Sequence, residues 1–171
     1  MSQSLCLICK KPKATTTCEI CEEPLCKACT QFLEPDTFTF LKDLPDELSH
    51  DRYCEHCYAS TIIPALDRYE EVMERAKNVF IYFTTQRAGI PLTGRSKTKV
   101  KVESCPDRDE TILRLAFFAA EQGFNALIEV DVIGEKVRNA GYQKSKWRGV
   151  GEPANVDEAK VLRNARQESL Y

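Results

Sequence analysis

Eight cysteines stand in four Cys-x2-Cys pairs within the first 57 residues: Cys6 and Cys9, Cys18 and Cys21, Cys26 and Cys29, Cys54 and Cys57. Two sulfurs at this spacing lie on one tight knuckle and can pinch a single ion. Two knuckles supply four thiolates, the donor set of a closed tetrahedral structural zinc site. Four knuckles therefore predict two Zn²⁺ ions. Redox chemistry is the rival use of such a pair. A redox Cys-x2-Cys comes singly inside a βαβ pattern, and no such pattern surrounds these. A site closed by four cysteines leaves no position for water or substrate. The expected role is structural, with no catalytic residue and no enzyme activity.

Spacing leaves two wirings open. Four residues separate the second pair from the third, and 24 separate the third from the fourth. Pairs one and two can share an ion, as can three and four. Alternatively, pairs one and three hold the first ion, and pairs two and four the second. The second wiring welds a stretch with little hydrophobic core into one unit.

The order of the pairs resembles the FYVE-type cross-braced zinc finger. So does the ending Arg52-Tyr53-Cys54-Glu55-His56-Cys57-Tyr58 followed by a helix. The resemblance covers the first third of the chain. It implies the interleaved wiring, Cys6/Cys9/Cys26/Cys29 around one Zn²⁺ and Cys18/Cys21/Cys54/Cys57 around the other. Lipid-binding members of that family carry a basic, histidine-containing run before the third cysteine. Here Ala14-Thr15-Thr16-Thr17 precedes Cys18 and offers no cation to a phosphate. The expected role is therefore that of a protein-interaction or scaffold module. A ubiquitin-ligase-like adaptor finger and a phosphoinositide-targeting finger are the alternatives. A RING finger departs at Cys18-Glu19-Ile20-Cys21, where it would place Cys-x-His. A PHD finger departs at Cys26, where it would place histidine. His50 and His56 are the only histidines and are read as surface groups beside complete four-cysteine sites.

Composition bounds the rest. With 43% hydrophobic and 29% charged residues, the 171-residue chain has the makeup of a folded protein. The formal charge of −2 becomes about −6 once eight thiolates hold two Zn²⁺. Nucleic acid is therefore not the expected partner. Met1–Cys6 lacks the charged start and apolar core of an export signal, and no run reaches membrane-spanning length. Reduced thiols and no export signal make a cytoplasmic location the expectation. Lys10, Lys11, Lys13 and Lys27 lie near the thiolates and are read as offsetting their charge.

The elements that must position these groups follow in order. Residues 1–58 make the double finger, with an insert at Thr30–Tyr53 whose apolar residues (Phe32, Leu33, Phe38, Phe40, Leu41, Leu44, Leu48) are expected to pack rather than stay exposed. Residues 59–77 read as a connecting helix capped by Ser60, with Pro64 in its first turn. Residues 78–171 read as an α+β domain of β-β-α-β-β order with a C-terminal helix, an antiparallel sheet with one packed helix. Its strands are expected at Val79–Thr84, with both faces buried, and at Lys97–Val102. Thr85–Ser96 reads as a loop. A helix capped by Ser104 or Asp107 and closed by Gly123 follows.

A strand over Asn125–Ile133 is then expected, with Ala126, Ile128, Val130 and Val132 on one face. Gly134-Glu135 reads as a tight turn into a return strand over 136–150, interrupted near Gly141. Glu129 and Asp131 are expected to pair with cations of that return strand. Asn155 and Glu158 read as a capping box for the last helix. Between Glu74 and Glu103 only basic charges occur, at Arg75, Lys77, Arg87, Arg95, Lys97, Lys99 and Lys101. These are read as a solvated face that guards a strand edge. The ninth cysteine, Cys105, sits near a helix start and is read as structural rather than nucleophilic. The stretch Leu115–Val132 resembles small bacterial βαββ domains that assemble into rings, so self-association through the C-terminal domain is a further expectation.

Overall fold

The computed structural model describes residues 4–86, 89–139 and 142–168. The expected interruption at Gly141, Arg87 of the basic tract and the chain end at Tyr171 lie outside them. The chain divides into two compact units, Met1–Glu70 and Glu71–Tyr171. The architecture is α+β. Among the described residues, no helix is long and apolar enough to cross a membrane.

The first unit is made of very short elements. β1 (Thr16–Thr17) pairs antiparallel with β2 (Pro24–Leu25), and β3 (Gln31–Phe32) with β4 (Arg52–Tyr53). Two small cores hold it together. One is built on Cys6, Cys18, Leu25, Cys26, Cys54 and Cys57. The other gathers Leu33, Phe38, Tyr53 and Ile62, with Leu41, Leu48, Tyr58, Leu66 and Tyr69 packed around them. The apolar part of the Thr30–Tyr53 insert thus packs inward as expected, except that Phe32 and Leu44 stay exposed. Tyr53 is fully buried, and its hydroxyl donates to the His50 carbonyl at 2.7 Å, with the Glu47 carbonyl at 3.1 Å.

The connecting helix starts earlier than its sequence predicts. Cys54, not Ser60, is the N-cap of α1 (Glu55–Cys57), its sulfur accepting from the Cys57 N–H. The chain stays helical through a wider π turn at Tyr58–Ile62 into α2 (Ile63–Lys77). Pro64 is therefore inside a helical run rather than in its first turn. Proline has no N–H for the ladder, and its ring crowds the preceding turn. The widened turn, in which the Ile63 N–H reaches back to the Tyr58 carbonyl, accommodates it.

In the second unit, β5 (Phe80–Phe83) is followed by β6 (Leu92–Arg95), β7 (Val100–Cys105), α3 (Arg108–Glu121), β8 (Ala126–Asn139), β9 (Tyr142–Val156) and α4 (Glu158–Glu168). The sheet runs β5-β8-β9-β6, with β7 also on β9. All pairings are antiparallel except β5 with β8, which is parallel. The expected loop at Thr85–Ser96 thus contains a strand, and β5 is half-buried rather than buried on both faces.

α3 is capped by Asp107, whose carboxylate accepts from the Glu110 N–H at 2.7 Å, and Gly123 follows its end at φ +83°. It lies on one sheet face at Gly149, where a side chain would meet Thr111 and Leu115. The opposite face carries Ala126, Ile128, Ala154 and Val156, with Val161 of α4 against them.

A bulge in β8 corrects the expected alternation. Glu129 takes φ +51°, and the register shifts between Ile128 and Asp131. Ile128 then faces the α4 side, while Val130 joins Leu127 beside Gly151 on the other. One extra residue reverses which face the following side chains reach. Glu129 bonds Lys99 at 2.8 Å rather than a cation of the return strand. Gly134-Glu135 is not the turn: both residues lie in β8, with Gly134 opposite Trp147. Asn155 is not a cap either. It belongs to β9, its side chain accepting from the Asn125 N–H, and Asp157 caps α4 instead.

Candidate metal centre

The four pairs fold as two kinds of knuckle. The first kind is a hairpin turn. In Cys6–Cys9 the Lys10 N–H donates to the Cys6 carbonyl at 2.9 Å, and the Cys6 N–H to the Lys11 carbonyl at 3.0 Å. Cys18–Cys21 repeats it: Glu22 N–H to the Cys18 carbonyl at 2.9 Å, Cys18 N–H to the Glu23 carbonyl at 3.0 Å. Lys10 and Glu22 both take positive φ, 55° and 59°, a strained choice for side chains other than Gly, Asn or Asp. The same turn is spelled twice, Cys-Leu-Ile-Cys-Lys-Lys and Cys-Glu-Ile-Cys-Glu-Glu.

The second kind is a helix start. Cys26 and Cys54 sit in extended backbone at the head of a helical turn that carries Cys29 or Cys57. Each hairpin turn is then tied to one helix start by an equivalent bond. The Leu7 N–H reaches the Pro24 carbonyl at 2.8 Å, and the Glu19 N–H reaches the Arg52 carbonyl at 3.0 Å. The two sites are copies of one plan.

The plan gathers Cys6, Cys9, Cys26 and Cys29 in one group and Cys18, Cys21, Cys54 and Cys57 in the other. Within each group the sulfurs lie within 4.8 Å of one another. Cys9 and Cys26 Sγ are 3.8 Å apart, as are Cys21 and Cys54 Sγ. A tetrahedron with Zn–S bonds of about 2.3 Å has edges of about 3.8 Å, so the donor set fits such an ion. Disulfide bonding needs sulfurs about 2.05 Å apart, and all nine cysteines are free. The grouping is the interleaved one, pairs one with three and two with four. Each group can hold a metal ion.

Electrostatics within each group favour a cation. Backbone N–H groups, chiefly that of Cys9, pull the Cys6 thiol down to about 6. Burial pushes the Cys18 thiol up, but N–H groups of Cys21, Cys54 and Ile20 outweigh it and bring it to about 7. Against these, the Cys26 sulfur pushes Cys29 up to about 12, and burial together with the other sulfurs pushes Cys57 up. The first thiolate in a group thus opposes the next. A dication among the four sulfurs removes that opposition and deprotonates them all.

The second group has an added clamp that sequence reasoning missed. Glu19 Oε2 accepts from the backbone N–H of Asp51 and Arg52, both at 3.0 Å, and Oε1 accepts from the Arg52 guanidinium at 2.5 Å. Arg52 also donates to Thr16 Oγ1 at 3.1 Å. Burial pushes the Glu19 carboxyl up, yet Arg52 and the two N–H groups outweigh it and hold it near 2. No sequence signal marked it: the equivalent positions of the first group are Leu7 and Pro24, which carry no charge.

His50 and His56 belong to neither sulfur group. Cys105 is buried at the end of β7, opposite Trp147 and two residues before the α3 cap Asp107. A cleft of about 510 Å³ lies beside the second group, lined by Leu33, Phe38, Leu41 and Leu44 together with Glu19 and Glu34. Set against family models, curated proteins and solved structures, the chain matches none. The donor sets themselves make the first unit a metal-binding module.

Proposed function

We propose that residues 1–58 form a FYVE-type finger, ordered by two Zn²⁺ ions, that binds a segment of another protein. The observation that carries this reading is the cleft beside the Cys18/Cys21/Cys54/Cys57 group. Leu33, Phe38, Leu41 and Leu48 give it an apolar lining, and Glu34 and Asp51 add carboxylates, while Glu19 is taken up by Arg52 and two backbone N–H groups. The occupant such a surface selects is an extended segment with a lysine or arginine next to an apolar side chain. Its apolar group meets the apolar lining and its cation meets Glu34 and Asp51. The ions serve by holding the cleft walls. Four sulfurs close each tetrahedron and leave no position for a reacting group, so the module binds and does not catalyse.

Lipid recognition fits the surface less well. Thr16 and Thr17 occupy β1 where a phosphate-binding finger needs cations, and Arg52 nearby is already held by Glu19. An array of immobilised 15-residue peptides of graded charge, probed with the zinc-loaded chain, tests the proposal. Binding enriched for cation-apolar pairs, and lost both on chelation and in the double variant Glu34→Lys, Asp51→Lys, is the expected result. Binding without that enrichment, or flotation with phosphoinositide vesicles that the double variant leaves intact, would overturn it.

A further inference from the structure

The long hairpin β8–β9 outruns the rest of its sheet. β5 pairs with β8 only as far as Val130, and β7 pairs with β9 only as far as Trp147. From Glu135 and Lys146 outward the two strands continue to pair with each other, through Lys136↔Ser145 and Arg138↔Gln143. No third strand joins them among the described residues. Ile133–Arg138 and Lys144–Lys146 are exposed throughout. At about 3.4 Å per residue its described pairs, Glu135↔Lys146 to Asn139↔Tyr142, extend about 14 Å.

Its charge is one-sided. Lys136, Arg138, Lys144 and Lys146, with Arg148 at the ribbon's base, are opposed only by Glu135. Among the described residues, Arg148 alone of the five has a carboxylate partner, Glu135 at 3.0 Å. Residues directly opposite in an antiparallel pair share a face. Lys144, Lys146 and Arg148 therefore line one face with Glu135, while Lys136 and Arg138 line the other. A single-faced patch suits a flat acidic surface. Cations on both faces of a narrow blade suit a slot whose two walls are both anionic.

We propose that this ribbon inserts into the major groove of double-stranded DNA and contacts phosphates on both walls. A groove about 12 Å wide admits a two-stranded ribbon, whereas the major groove of A-form RNA is too deep and narrow for side chains to read. The net charge of the chain argued against nucleic acid at the sequence level. The fold changes that argument by segregating charge: Met1–Glu70 holds seven lysines and arginines against twelve acids, and Glu71–Tyr171 holds seventeen against fourteen. Trp147 lies flat over Gly134, so close that a Cβ there would sit 2.9 Å from the indole. It is pinned to the ribbon and not free to stack on bases. Binding is therefore expected to follow the backbone rather than base sequence.

Fluorescence anisotropy of a labelled 20-base-pair duplex, with the zinc-loaded full chain, tests this. About four phosphate contacts predict that log K falls with log salt at a slope of about −3.6. Lys136→Gln, Arg138→Gln, Lys144→Gln and Lys146→Gln together should weaken binding at least tenfold and flatten the slope. Lys160→Gln with Arg163→Gln, on α4, should change it less than twofold. Emission of the single tryptophan, Trp147, reports whether the ribbon of each variant is intact. If the fourfold variant fails that check, the pairs Lys136→Gln, Arg138→Gln and Lys144→Gln, Lys146→Gln are measured separately, and each should weaken binding at least threefold. No binding at 50 mM salt, equal binding by the ribbon variants, or tighter binding to single-stranded RNA or phosphatidylserine vesicles would overturn the proposal.

Discussion

Single side chains decide the sulfur groups. Removing one thiolate from a closed four-sulfur site leaves a buried ion three-coordinate and its knuckle unheld. Cys54→Ser should therefore cut bound zinc from two ions to one or none by native mass spectrometry, whereas Cys105→Ser, buried in the second unit, should leave both. The pair Lys99 and Glu129 gives a different test. Hydrogen bonding to Lys99 lowers the Glu129 carboxyl below its ordinary value. Its contribution to stability is present above the ordinary carboxylate range and is lost as pH falls through the lowered value. Lys99→Ala should raise the Glu129 midpoint in a carboxyl-resolved NMR titration. An unchanged midpoint would mean that the ion pair does not form in solution. The eight cysteines were legible because four identical spacings leave few alternatives. The Glu19–Arg52 clamp was not, because nothing local distinguishes a carboxylate that bonds 33 positions away from one in solvent.

Elements are held by close approach as much as by apolar burial. A Cβ on Gly149 would lie 2.8 Å from Thr111 Cγ2 and 2.9 Å from Leu115 Cδ1, both on fully buried residues of α3. Gly149→Ala must push α3 off the sheet and should cost about 1–3 kcal/mol, read as a lower urea midpoint with an unchanged slope. Asp107→Ala removes the cap of the same helix and should cost about 1 kcal/mol. The helix itself was readable from sequence, since its periodicity, cap and closing glycine agree. The hairpin was not. Gly134-Glu135 has the letters of a tight turn, but its glycine serves the indole of Trp147 across the ladder. Likewise the bulge at Glu129 left no local trace, because an ordinary glutamate adopts the conformation that the pairing demands. Pro64 misled in the opposite sense: it marks a helix start in isolation, and the widened turn before it let the helix begin at the last cysteine pair instead.

For the molecule as a whole, the two units depend differently on metal. Much of the first core is cysteine sulfur, whereas the second rests on Leu115, Leu127, Ile128 and Val130. Structural zinc contributes on the order of 10 kcal/mol or more, comparable to the whole stability of a small domain. A strong chelator should therefore abolish amide exchange protection at Leu7, Cys18 and Cys57 while α3 keeps its own. The interleaved wiring carries a further consequence. One group closes the chain between Cys9 and Cys26, the other between Cys21 and Cys54, and both closures pass through Glu22–Leu25. Ordering that short bridge is an entropic cost that the first ion to arrive meets alone and the second finds already met. Filling is then nearly all-or-none. At one equivalent of zinc, empty and doubly filled chains should outnumber half-filled ones, so that scarcity of metal divides the population into competent and unfolded molecules rather than weakening every copy a little.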